Sequence, residues 1–142
     1  MEKEILSRKV SKIDIAMIQL NAAIRANMQN RDIEAITLAG AAEEIFGAMC
    51  RRRGLQNAVK KIAELEITSW NSDDVKNRIS CLNKVRNNLK HADNEADDDF
   101  EVTELDSFFM IVRAIENAKL LDIAFSVEME EFCGYYKSTT YS

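Results

Sequence analysis

The stretch LSRKVSKIDIAMIQLNAAIRANM, residues 6–28, sets Leu6, Val10, Ile13, Met17, Leu20, Ile24 and Met28 at steps of four and three residues. Such steps keep them on one stripe of an α-helix, whereas a strand's two-residue period scatters them over both faces. A helix with one apolar face needs a partner to cover it. The polar break Gln29-Asn30-Arg31-Asp32 follows, with Asp32 placed to cap a second helix and Glu34 in its first turn. That helix repeats the pattern at Ala35, Leu38, Ala42, Ile45 and Met49. Arg51, Arg52 and Arg53 lie where cations suit the helix dipole, and Gly54 can take the left-handed conformation that ends the helix.

Leu55, Val59, Ile62 and Leu65 predict a shorter third helix over about 55–65, and residues 68–74 read as a loop, with Trp70 as a lid on the core. Ser72 is a good cap for a fourth helix, with Asp73 and Asp74 in its first turn. Val75, Ile79, Leu82, Val85 and Leu89 form its apolar edge, and it is expected to end near His91. Residues 92–102 make an acidic connection, after which Thr103 and Asp106 form a capping-box variant. A single last helix is then expected, lined by Phe108, Ile111, Ile115, Ala118, Leu121, Phe125, Met129 and Phe132. The reading is one all-α domain over residues 1–133, an up-and-down bundle of four to five helices, followed by a polar tail over 134–142 that holds Tyr135, Tyr136 and Tyr141. Gly40 and Gly47, seven apart, fall on nearly one line of the second helix; they predict the close approach of another backbone, within the chain or across a dimer.

Composition agrees with helices. The chain of 142 residues has no proline and only four glycines, too few breakers for an all-β fold. Hydrophobic residues make up 46%, enough for a core. The formal net charge of −5 excludes an overall basic nucleic-acid coat but leaves room for a local basic patch, and Arg51 to Arg53 with Lys60 and Lys61 is the dense one. No apolar run reaches the length of a membrane span, and the first residues show no secretion signal. Cys50, Cys81 and Cys133 are odd in number and far apart, which suits free thiols in a reducing cytoplasm and gives no zinc spacing.

The chemistry concentrates in Arg86-Asn87-Asn88-Leu89-Lys90-His91, which ends at the only histidine. Histidine exchanges protons near neutral pH, the planar arginine cation matches phosphate oxygens, and asparagine orients either group by hydrogen bonds. Positions five apart on a helix diverge by ~140° around the axis and ~7.5 Å along it. Arg86 and His91 can therefore serve one phosphate only if His91 lies on a frayed or bent helix end, or if a second copy supplies the missing group. Arg86 borders the apolar stripe, between Leu82 and Leu89, and so is expected in a groove between helices. The plainer reading makes His91 a helix-dipole partner and Arg86 a snorkelling or carboxylate-paired side chain.

This string resembles the signature of the HEPN superfamily, the higher eukaryotes and prokaryotes nucleotide-binding domains: an arginine, a short spacer and a histidine, with a polar residue straight after the arginine. Here four residues separate Arg86 from His91, and Asn87 fills the polar slot. The resemblance implies a helical bundle with the motif on a late helix, a homodimer that brings two motifs into one cleft, and metal-independent endoribonuclease activity without a cofactor. It also implies, in some members, a toxin restrained by an antitoxin, and in others a non-catalytic dimer that binds nucleotide, RNA or a protein partner. On that footing His91 is the general acid and base, Arg86 stabilises charge on the phosphorus oxygens, and Asn87 orients one of them, with Asn88 and Lys90 in support.

Two acidic features complete the reading. Glu44, close to the Gly40–Gly47 line, either pairs with Arg86 and fixes its fork or is a solvated acid. Asp93, Glu95, Asp97, Asp99, Glu101 and Glu104 follow EF-hand spacing, but Asp98 stands where that loop requires glycine, and no metal is expected.

Overall fold

The computed structural model describes residues 2–55 and 72–137. The expected third helix over 55–65, together with Trp70, Lys60, Lys61 and Tyr141, falls almost entirely outside them. The described residues form helices only: α1 (Lys12–Met28), α2 (Asp32–Arg52), α3 (Ser72–Asn88), α4 (Glu104–Leu120) and α5 (Val127–Lys137), with a 3₁₀ turn at Glu95–Asp97. The all-α bundle class is as the periodicity required. No helix among the described residues is long and apolar enough to cross a membrane.

The first helix starts later than its stripe suggests. Ser11 caps it in extended conformation, its hydroxyl accepting from the Asp14 amide at 3.0 Å. Residues 2–10 lie outside any helix, with Ile5 92% and Leu6 87% exposed. The spacing of Leu6 and Val10 continues the helical period, but a stripe with nothing to pack against contributes little, and the serine side chain satisfies the helix end instead. The turn into α2 is closed by Asn30 at φ 59° and by Arg31 N–H donating to the Ala26 carbonyl at 2.9 Å. Arg31 occupies the cap position and Asp32 is the first helical residue; Asp32 and Glu34 still place negative charge in the first turn. At the far end Gly54 takes φ 70°, and Leu55 N–H reaches the Cys50 carbonyl at 2.9 Å, the left-handed termination the sequence called for.

α4 is the axis of the bundle. Every residue from Leu105 to Ala118 is buried, so this helix is covered on all sides and not along one stripe. Its neighbours alternate in direction. Gly40, Glu43 and Cys50 of α2 meet Met110, Arg113 and Asn117 in the same order, so α2 and α4 run parallel. Asn27 at the end of α1 meets Ser107 at the start of α4, at 2.8 Å. Phe108 stacks with Phe132 at 5.8 Å and contacts Tyr136 at 4.7 Å, which seats α5. Leu20, Ile24, Phe46, Phe108 and Met129 are fully buried, each contributing about 1.5–3 kcal/mol of apolar burial.

The expected single last helix is two. α4 stops at Leu120, Asp122 turns the chain at φ 58°, and Ser126 starts α5 by accepting from the Met129 amide at 3.2 Å. The same hydroxyl donates to Asn21 Oδ1 of α1 at 2.7 Å. The bend lets Phe132 fold back on Phe108. α5 then runs through Gly134 to Lys137, with Tyr136 O–H donating to Asn27 Oδ1 at 3.2 Å, so helix extends into the segment read as tail. At α4's start, the Asp106 carboxylate accepts from the Thr103 amide at 2.8 Å, as the capping pattern expects.

Candidate functional site

α3 ends at Asn88, three residues before His91 and so near it, as its pattern implies. The last turn is held by Lys90 N–H and His91 N–H donating to the Asn87 carbonyl at 3.0 and 3.2 Å. Asn87, Lys90 and His91 are exposed and Asn88 is half-buried. His91 lies past the last helical residue, but its N–H still makes the i→i−4 bond of a helical turn to Asn87.

Arg86 faces the other way, into the bundle. Its aliphatic arm crosses α2 at Gly40, where a Cβ would stand 2.9 Å from both Cγ and Cδ. Only a bare backbone lets the arm through. Beyond it, Nη1 donates to Glu43 Oε2 at 2.8 Å, and the side chain is 15% exposed. Glu43 is itself 7% exposed, and its second oxygen accepts from Arg113 Nη2 at 2.9 Å. Arg113 Nη1 in turn donates to Asn83 Oδ1 at 2.8 Å. One carboxylate therefore ties α2, α3 and α4 together. Burying three charges is costly, and close hydrogen-bonded pairing is what makes it tolerable. Among the described residues Arg86 Nε and Arg113 Nε remain buried without a partner. Arg86 Nη2 makes no hydrogen bond among the described residues.

The acid that fixes Arg86 is thus Glu43, not Glu44. One residue along the helix turns a side chain by ~100°. Glu44 is 58% exposed and accepts from Lys90 Nζ at 3.1 Å. That hydrogen bond holds the Glu44 carboxyl below its ordinary value; partial burial opposes it, and the charges of Lys90, Arg86 and Arg51 add to it. The glycine line is also occupied differently from expectation. Both glycines are buried, but side chains of this chain cover them: Arg86 over Gly40, and over Gly47 the Arg51 Nη1 and Asn117 Nδ2, each 3.5 Å from where a Cβ would stand.

Of the basic run, Arg51 therefore folds back towards the motif, near Glu43 Oε1, which is 3.7 Å from the same Gly47 position. Arg52 lines a groove of about 340 Å³ with Lys12, Ala41, Glu44, Ile45, Ala48 and Met49, which Glu44 shares with the motif through Lys90. Arg53 is the C-cap of α2. Lys60 and Lys61 lie outside the described residues.

The chain matches no family model, no curated protein and no solved structure. Its site rests on its own geometry. Among the described residues no group of three histidine, cysteine or acidic side chains converges as a metal site; in the acidic connection Asn94 Oδ1 accepts from the Ala96 amide at 3.0 Å and the chain makes a 3₁₀ turn. Cys50 is buried, Cys133 half-buried and Cys81 exposed, all as free thiols.

Glu43, Arg113 and Asn83 are the site residues that periodicity passed over. Arg113 carried a signal: a lone cation inside FFMIVRAIENA, residues 108–118, has to be buried, and a buried arginine needs an acid.

Proposed function

We propose that this chain is a metal-independent endoribonuclease of the HEPN type, working as a homodimer, with Arg86, Asn87 and His91 as its reacting groups and Glu43 as the residue that positions Arg86. The observation that carries the reading is the anchoring of Arg86 on Glu43 near the end of α3, with Asn87 and His91 exposed just beyond it. The ~140° offset between residues five apart is met by a second copy, which supplies the missing group. Arg86 is anchored through one nitrogen to Glu43, while Nη2 has no hydrogen-bond partner among the described residues. A guanidinium held in this way stabilises charge on a phosphoryl oxygen without reorganising during the reaction.

In this scheme the exposed imidazole of His91 takes the proton of a ribose 2′-hydroxyl, whose oxygen attacks the adjacent phosphorus. The 5′-oxygen leaves with a proton from an imidazolium, and the product keeps a 2′,3′-cyclic phosphate. A second copy brings a second Arg86–His91 pair into the cleft, and a protein antitoxin is the partner such a nuclease calls for. The reading is tested by incubating purified full chain with RNA in EDTA and analysing the ends. Cleavage leaving cyclic phosphates is expected; intact RNA, or cleavage that EDTA abolishes, contradicts it.

A second reading is a non-catalytic helical dimer that binds nucleotide, RNA or a protein. The buried Arg86–Glu43–Arg113 link favours it, because a cation already satisfied by a carboxylate serves packing well.

A further inference from the structure

The chain is acidic overall, but the face around Gly40 and Gly47 is not. Arg51, Arg86, Arg113 and Lys90 gather there against two carboxylates, Glu43 and Glu44. Arg86 and Arg113 share Glu43, and Lys90 is paired with Glu44. Arg51 has no ion pair among the described residues and is exposed, with Nη1 3.5 Å from where a Cβ on Gly47 would stand. Its guanidinium lies down on the bare backbone of Gly47, beside the buried triad.

We infer that Arg51 is a phosphate-binding subsite for single-stranded RNA, holding a backbone phosphate next to the one addressed by Arg86 and His91. The inference rests on the RNA reading above and deepens it. A guanidinium presents a planar fork of N–H donors that matches two phosphate oxygens. An unpaired one, held against a helix by a missing side chain, loses less freedom on binding than an arginine waving from a loop. Neighbouring cations raise the local potential and favour an anion there. The subsite also separates three consecutive arginines. Arg52 lines the groove with Lys12, Glu44 and Ala48, and Arg53 is the C-cap residue; of the three, only Arg51 lies against Gly47.

The test is fluorescence anisotropy with a labelled 2′-O-methyl oligoribonucleotide, which cannot be cut by 2′-hydroxyl attack, titrated with full chain at several salt concentrations. Arg51→Gln is expected to weaken binding about tenfold and to lower the log–log salt slope by about 0.7, the value for one contact to a single strand. Arg52→Gln and Arg53→Gln are expected to stay within about twofold of the unmodified chain, as charges away from the strand should. Equal losses from all three, or none from Arg51→Gln, overturn the subsite. So does displacement of the oligonucleotide by an excess of nucleoside monophosphate, which would make the ligand a free phosphate ester. Binding that depends on Arg51 without any cleavage of natural RNA sinks the nuclease reading and leaves the subsite standing; cleavage indifferent to Arg51 does the reverse.

Discussion

Arg86 crosses α2 over Gly40, with Cγ and Cδ each 2.9 Å from the position a Cβ would take. The far end of the side chain is held by Glu43, so the arm cannot swing aside without breaking a buried ion pair. This crossing brings α2 and α3 close together, and the bond to Glu43 aims the guanidinium.

Gly40→Ala is therefore expected to destabilise the fold. Alanine gains about 1 kcal/mol of helix propensity, but overpacking costs about 1–3 kcal/mol. We expect a net loss of about 1 kcal/mol in urea unfolding. In an Arg86→Ala background the sign reverses and Gly40→Ala stabilises, because only the propensity gain remains. A stabilising Gly40→Ala in the unmodified chain would contradict the crossing.

Glu43→Gln leaves two buried guanidiniums with no carboxylate. Removing one member of a buried ion network typically costs about 3–5 kcal/mol, and a loss of that order in the unfolding free energy is expected. Glu44→Gln, at an exposed pair, is expected to cost no more than ~1 kcal/mol. Similar losses from both would place Arg86 on the wrong acid.

Acid titration gives a further check on Glu44. Its carboxyl is depressed in the fold, chiefly by the hydrogen bond from Lys90. A depressed acid adds stability above its unfolded value and loses it as pH falls through the folded one. The unmodified chain and Glu44→Gln should thus differ slightly in urea midpoint at neutral pH. The difference should close below the ordinary carboxylate range. A gap that widens in acid would reverse the sign.

The three thiols should react in sequence. Burial pushes the Cys50 and Cys133 thiols up, by desolvation first, while Cys81 is exposed. Thiolate is the nucleophile, so alkylation of the native chain at neutral pH is expected at Cys81 first, then Cys133, with Cys50 protected until unfolding. Peptide mass spectrometry after timed iodoacetamide treatment reads the order, and early labelling of Cys50 would show a looser α2–α4 contact than described.

Much of the fold was legible in the four-and-three spacing, because a buried helix face requires it. The spacing identified the α1–α2 hairpin and the Gly54 stop, and it marked the last helical region. It misplaced boundaries where a polar side chain outcompetes the period: Ser11 begins α1 after Leu6 and Val10 have already kept the rhythm, and Asp122 with Ser126 divides the last helix although Phe125 and Met129 continue its stripe. The candidate site was legible as a string, Arg86 to His91, but its anchor was not. Glu43 and Glu44 are adjacent in sequence, and which of them faces Arg86 depends on the rotation of α2 against α3, fixed by Phe46 and Ala39 in the core and by the gap at Gly40.

In the proposed function the anchored guanidinium of Arg86 and the exposed imidazole of His91, drawn from two copies of the chain, act on one phosphate. The direct measurement is the metal-free RNA cleavage rate of the chain and of His91→Ala and Arg86→Lys, each first shown to keep its helical circular dichroism. Both substitutions are expected to lower the rate by about 100-fold or more, in the range for losing a general base or a charge-stabilising donor. A correctly folded His91→Ala chain that cuts RNA at the original rate would contradict the account.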